Sequence, residues 1–425
     1  MTRDVIVDVG WLLGAGLVAR LAADLLRVPE IVLLLAAGAL LGPSVLDAID
    51  IPLDALGAQL LFTLGVSAIL FYGGLNLSLA VLRRVWVSIG MLAVPGVVLT
   101  AVVTGAVAAL VFDIPFQHGV LIGAVLAPTD PAILIPLFVG TRLRARVAQT
   151  VIAESALNDT IGAVFALALA GSIVSGESSF SGPAGDFAGE VALGVGVGLV
   201  AGVLLAFAIS SSRAGIWRES SALAALAVVA VSYVGLDYAG GSGYLGAFLA
   251  GLVVGNMEML GLDMHTDHRL DLEIGTRNLT DLVTMFVFVI VGANIPFDVL
   301  GDELLPELAV VAVLLLVARP LAVAACMLPD RRSRWTRAEL AFVAWTRETG
   351  VVPAALVGVL VARGVPHEDL LASVVALAII VTLLVQALPG PWLAGRLGLL
   401  DVSDQHTETP EIVDESATAS GVMRH

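Results

Sequence analysis

The stretch VLAPTDPAILIP, Val125 to Pro136, sets three prolines and one aspartate into an apolar run. Proline lacks a backbone donor and clashes with the preceding helical turn, so a helix passing through Pro128, Pro131 and Pro136 must break. The flanking residues read as lipid-soluble helix, which puts the break at mid-membrane depth. Non-helical backbone is tolerated there only where protein or a cavity covers it. A second stretch, WTRETGVVPAAL (Trp345 to Leu356), places Gly350 and Pro353 beside Arg347 and Glu348 and predicts a second interruption.

The whole chain agrees with this membrane reading. Of its 425 residues 58% are hydrophobic and 14% charged, and the mean hydropathy is +0.99. Apolar runs of about 20 residues recur along it, the length that crosses a bilayer as a helix. An all-α polytopic membrane protein is expected, with thirteen spans near 5–26, 30–47, 57–82, 86–112, 117–140, 147–175, 186–212, 220–237, 242–259, 279–295, 304–327, 337–362 and 368–392. No window resembles a large soluble domain. The N-terminal residues read as the first span and not as a cleaved signal. Residues 401–425 read as a disordered, acidic tail.

Arginine placement tests the layout independently. There is no lysine, and 16 of the 21 basic residues fall in alternate loops, after the first, third, fifth, seventh, ninth, eleventh and thirteenth spans. Under the positive-inside rule this puts the N terminus outside and the C terminus in the cytoplasm, in a multi-pass plasma-membrane protein with an odd number of spans. The formal charge of −16 excludes a nucleic-acid role. Without a lysine there is no P-loop, which argues against ATP-driven transport within this chain. The single cysteine, Cys326, lies in an apolar run and reads as a small hydrophobe. No cofactor is expected.

The fifth and twelfth spans lie seven apart, an odd offset, so the two breaks run in opposite directions across the membrane. An inverted-topology repeat predicts this, with the substrate site where the broken helices meet. Between them the sixth span carries AESALNDTIG, Ala153 to Gly162. Glu154 and Asn158 share one helical face, and Ser155 and Asp159 the next. Carboxylate, hydroxyl and freed carbonyl oxygens are hard ligands, suited to Na⁺, Li⁺ or H⁺. Burial favours a neutral carboxyl and a nearby cation favours the charged one. Competition of proton and cation for one carboxyl therefore yields exchange, provided only the loaded carrier reorients. Arg319, deep in LLLVARPLAV, needs a partner, and Glu154 is the candidate for a structural ion pair. A channel would need an open polar path, and no HExxH, GxSxG or paired-cysteine motif supports an enzyme. His265 and His268 fall in a loop and do not read as a metal site. Gly194, Gly198 and Gly202 recur every fourth residue inside a span and read as a helix-packing stripe.

The motifs LAPTDPA and ESALND, about 25 residues apart, resemble the NhaP/NHE-type sodium/proton antiporters of the cation:proton antiporter superfamily. LFYGGLNL, GSGYLGAFLAGLVVGN, ARP and TRETGVVPAAL extend the resemblance over nearly the whole chain. It implies a thirteen-helix inverted-repeat fold with two crossed discontinuous helices, assembled as a homodimer in the lipid bilayer. The antiporter domain would fill residues 1–400. A moving core (about 86–175 and 304–392) would work against a dimerisation scaffold (about 1–82 and 186–295). By the same resemblance Asp159 binds Na⁺ and the proton, with Ser155 and the Thr129 carbonyl as neighbouring ligands. Asn158 beside Asp159 implies electroneutral exchange, Asp130 compensates helix-end dipoles, and Glu154 pairs with Arg319. Many relatives carry an acid where this chain has Tyr72, so the Tyr72 hydroxyl, water or another group is expected to replace it beside the ion. Arg347 and Glu348 are further buried charges, in a stretch that departs from the family's usual G-L-R-G. Potassium/proton exchange is the alternative activity.

Overall fold

The structure is a computed structural model that describes residues 2–26, 28–130, 143–176, 181–330 and 332–400. Apart from one isolated bridge, Leu143 to Leu400, regular structure among those residues is helical. In chain order the longer helices are α1 (Thr2–Leu26), α2 (Glu30–Leu41), α3 (Leu56–Leu75), α4 (Leu79–Val111) and α5 (Phe116–Leu126). Then follow α6 (Ala145–Val174), α7 (Ser181–Ile209), α8 (Arg218–Ala239), α9 (Gly243–Gly255) and α10 (Thr266–Ala293). The chain closes with α11 (Leu304–Met327), α12 (Arg337–Trp345), α13 (Val351–Ala362) and α14 (Glu368–Arg396).

Among the described residues nine helices are long and apolar enough to cross a membrane, and the shorter apolar helices α2, α5, α9 and α13 occupy the remaining expected spans. The helices are apolar on their outer faces as well as their inner ones: Leu25 is 83% exposed, Leu110 82% and Leu305 78%. Helices apolar all round belong in a membrane span or a large core. The twelfth span is interrupted as expected, with α12 and α13 separated by residues 346–350. The second half of the fifth span, with Pro131 and Pro136, lies outside the described residues, as do Arg27, Arg142, Arg331 and the tail 401–425.

Two boundaries differ from the sequence expectation. The third span stops at Leu75, and a new helix starts at Leu79, so Arg83 and Arg84 lie in helix and not in a loop. The break is held from far away, because Asn256 Oδ1 accepts from Leu79 N at 2.9 Å and its Nδ2 donates to Leu77 O at 2.8 Å. Likewise α10 begins at Thr266, well before the apolar run, and Arg269 pairs there with Glu258 and Glu273 at 2.6 and 3.3 Å.

Close packing rests on glycine. A Cβ on Gly194, Gly198 or Gly202 of α7 would press on Ser242, Gly246 or Ala250 at or within α9, so the stripe packs helices as its spacing predicts. On the other side of α9, Gly251 and Gly255 lie against the Phe71 and Leu75 carbonyls of α3. Small residues let backbones approach in this way.

Four spans carry a π-helical turn: Leu61–Gly65, Leu92–Gly96, Leu314–Ala318 and Leu383–Ala387. Three of these contain a proline or end two residues before one (Pro95, Pro320, Pro389), whose missing N–H shifts the hydrogen-bond register.

One buried cluster draws only on the fourth, sixth, eleventh, twelfth and thirteenth spans and the segments joining them, with Leu92, Val147, Val323, Phe342 and Ala394. Another draws only on the third and the seventh to tenth, with Phe71, Leu205, Val229, Ala250 and Leu272. The largest cluster joins both groups.

Candidate ion-binding site at the helix breaks

The two breaks touch. α5 ends at Leu126, and Asp130, four residues on, donates its backbone N–H to Glu348 O at 2.9 Å. Asp130 Oδ2 in turn accepts from Val351 N, the first amide of α13, at 3.2 Å. A carboxylate at a helix N terminus meets unsatisfied N–H groups and the positive end of the dipole. Gly350 is required at this crossing, because a Cβ there would overlap the Asp130 side chain.

The carbonyl ends of the broken helices each face a buried arginine. Arg347 donates to Leu126 O and, at 2.9 Å, to Ala127 O, at the end of α5. Arg319, from α11, donates to Val343 O at 3.1 Å and Thr346 O at 3.3 Å, at the end of α12. Helix C termini leave four carbonyls without intrahelical partners and carry the negative end of the dipole, so a cation belongs there.

Arg319 also makes a fork with Glu154 of α6: Nη1 to Oε1 is 2.7 Å and Nη2 to Oε2 2.9 Å. Both side chains are buried. Asn158, one turn along α6, donates to the same Glu154 Oε1 at 2.9 Å. Its Nδ2 also donates to Thr129 Oγ1 at 2.8 Å, while its Oδ1 accepts from Thr129 N at 3.2 Å. Thr129 Oγ1 lies 3.2 Å from Ser155 Oγ, and Ser155 Oγ donates to Thr129 O. Gly162 lets α6 come this close, since a Cβ there would overlap the Pro128 ring.

Asp159 is 7% exposed, and its Oδ1 has no hydrogen-bond partner among the described residues. The structure thus gathers Thr129, Asp130, Glu154, Ser155, Asn158 and Asp159 around one helix break. Arg347 and Glu348 are each 1% exposed in the facing break. Tyr72 is placed elsewhere. Gly73 is the α3 residue turned towards Ala156 of α6, and Tyr72, rotated by about 100° from it on a helix, packs against the buried cluster that holds Phe71, Leu205 and Leu272.

Among the buried polar residues that sequence reading passed over are Thr349 in the second break, and Thr382 and Gln386 in α14. Their signal was present, as hydroxyl and amide groups inside apolar runs. Glu307, at the start of α11, was likewise missed and is 0% exposed.

The arrangement offers a carboxylate and hydroxyl oxygens to a small hard cation, where two helix ends converge. Its relatives are of the same kind. The sequence profile of the family described as "Sodium/hydrogen exchanger, transmembrane" matches residues 12–394. The K(+)/H(+) antiporter NhaP of Alkalimonas amylolytica is 30% identical over 386 residues, covering 90% of this chain and 64% of that protein. The Probable Na(+)/H(+) antiporter 2 of Methanocaldococcus jannaschii is 26% identical over 377 residues, 85% of this chain and 86% of that one. The structure of the sodium proton antiporter MjNhaP1 from M. jannaschii at pH 8 superposes with a TM-score of 0.80 at 25% identity, covering 93% of this chain and 99% of that one. The chain spans a little under two thirds of the length of the Alkalimonas protein. The match over nearly the whole membrane region agrees with the resemblance carried by the two break motifs, and the chain belongs to the transmembrane sodium/hydrogen exchanger family, a family of secondary transporters and not of enzymes.

Proposed function

We propose that the chain is an NhaP-type antiporter that exchanges Na⁺ or Li⁺ for H⁺ at Asp159, one for one. The observation that carries this is the isolation of the Asp159 carboxyl. Glu154 is committed to Arg319, Asp130 to the α13 N terminus, and Glu348 lies in the field of Arg347 and Arg319. Of these four described acids at the two breaks, Asp159 is the one with no arginine or helix end beside it, and intramembrane acids of this kind act in transport. A proton or a cation on Asp159 leaves the same net charge, so either loaded form can reorient. The empty carboxylate is held in place by the cost of moving a charge through lipid.

In this reading Ser155 and Thr129 complete the cation's oxygen shell, and Asn158 holds Thr129 in position. The core (about 86–175 and 304–392) moves against the scaffold (about 1–82 and 186–295). The two satellite clusters, each confined to one of these groups, support that division. The arginine distribution supports a cytoplasmic C terminus, and the protein works as a homodimer in the plasma membrane. Potassium is the second candidate cargo, because relatives about 30% identical to this chain bear the name K(+)/H(+) antiporter.

The test is proton flux in proteoliposomes on adding Na⁺, Li⁺ or K⁺ across a pH series. Wild type should respond to Na⁺ and Li⁺ without needing a membrane potential, and Asp159→Asn should respond to none while remaining folded. Exchange retained in Asp159→Asn would remove the assignment.

A further inference from the structure

The two helix breaks are tied to the spans that follow them by the same kind of bond. At the first, Thr129 N donates to Asn158 Oδ1 of α6 at 3.2 Å. At the second, Thr349 N donates to Thr382 Oγ1 of α14 at 3.1 Å. α6 and α14 each follow a broken helix, so the inverted repeat relates the two bonds.

The hydroxyls fare differently. Thr129 Oγ1 accepts from Asn158 at 2.8 Å and lies 3.2 Å from Ser155 Oγ. Thr349 is 0% exposed, and its Oγ1 has no hydrogen-bond partner among the described residues. One turn beyond Thr382, Gln386 is 3% exposed and its Oε1 is likewise without a partner. Trp345 Nε1 donates to the Gln386 backbone carbonyl at 3.3 Å, so the end of α12 is held against this turn of α14. The turn itself is π-helical, Leu383–Ala387, a geometry frequent at functional sites.

Buried polar atoms are hydrogen-bonded almost without exception, and those that are not need a reason. Here two neutral oxygens lie on one interface, beside the break that touches Asp130. Hydroxyl and amide oxygens without a carboxylate suit a hard cation held loosely. An ion in transit needs stations it can leave.

Building on the antiporter reading above, we propose that Thr349 Oγ1 and Gln386 Oε1 form a second, uncharged subsite that takes the alkali cation on its way to or from Asp159. Thr382 fixes the break in register and holds Thr349 in place.

The test pairs Thr349→Val and Gln386→Leu with two readouts. The first is the cation concentration that half-saturates exchange in proteoliposomes. The second is the rise in Tm on adding Na⁺, Li⁺ or K⁺ to the purified protein. Both variants should raise the half-saturating concentration several-fold and shrink the cation-induced rise in Tm, and Thr349→Ser should restore wild-type values.

A merely structural pocket predicts otherwise. Thr349→Val would then raise Tm without cation, by removing an unpartnered hydroxyl, and leave both cation readouts unchanged. That result overturns the subsite. If wild type exchanges none of the three cations, the antiporter reading fails, and the cation-induced shift in Tm still decides the subsite.

Discussion

Asn158 and Thr129 bind each other twice: Asn158 Nδ2 donates to Thr129 Oγ1 at 2.8 Å, and Thr129 N donates to Asn158 Oδ1 at 3.2 Å. The pair closes the broken fifth span onto α6 without using a charge. The same Nδ2 reaches Glu154 Oε1 at 2.9 Å, so one neutral amide connects the break to the buried ion pair.

Replacing Asn158 by alanine therefore strands Thr129 N and takes one bond each from Thr129 Oγ1 and Glu154 Oε1, which keep Ser155 and Arg319. Stranding a buried donor costs about 1–3 kcal/mol. Asn158→Ala should lower Tm by several degrees and sharply reduce exchange, whereas Leu157→Ala, on a different face of the same helix, should leave exchange near wild type. Thermal unfolding followed in detergent, together with proteoliposome flux, checks both.

Arg319 serves Glu154 and the carbonyl end of α12 at once. Arg319→Ala strands a buried carboxylate and two carbonyls, and breaking a buried pair of this kind costs about 3–5 kcal/mol. The double variant Glu154→Leu/Arg319→Met removes both charges and should recover much of that loss. A double-mutant cycle on thermal stability measures the coupling. Strict additivity of the two single changes would show that the pair contributes nothing beyond its members.

Much of this was legible in the sequence because the bilayer imposes simple rules. Apolar runs located the spans, and Pro128 and Pro353 marked where helices must break. Arg319 demanded a partner from a short list of buried acids. What stayed hidden depends on distant contacts or on rotation about a helix axis. The helix start at Leu79 is set by Asn256, 177 residues away. The first turns of α10 carry charges that a hydropathy reading assigns to a loop. The resemblance sets Tyr72 beside the ion, and only the fold shows its ring packed against the cluster of the third and seventh to tenth spans. Thr349 and Gln386 were visible as residue types, but only the fold shows that their oxygens lack partners.

Asp330, outside the spans between α11 and α12, predicts a pH dependence. Burial pushes its carboxyl up, but hydrogen bonds outweigh this and hold it below the usual carboxylate range: Ser88 Oγ at 2.6 Å, Ser333 Oγ at 2.7 Å, Ser333 N at 3.3 Å and Arg332 N at 3.1 Å. A depressed folded value means the stabilisation is complete above the unfolded value, about 3.9, and is lost as pH falls through the folded one. Asp330→Asn should thus lower Tm at neutral pH, and its deficit relative to wild type should shrink as pH falls below about 4. A deficit independent of pH would show that the ionised form is not what the loop holds.

Gly251 and Gly235 are both glycines within helices, and the structure gives them opposite responses to alanine. A Cβ on Gly251 would overlap the Phe71 carbonyl of α3, which is backbone and cannot swing aside. Around Gly235 nothing lies within 4 Å of such an atom. Overpacking costs about 1–3 kcal/mol, whereas alanine favours an open helix position by about 1 kcal/mol over glycine. Gly251→Ala should therefore lower Tm by several degrees and Gly235→Ala should hold or raise it. Equal Tm changes in the two variants would mean that α3 and α9 do not meet at the separation seen here.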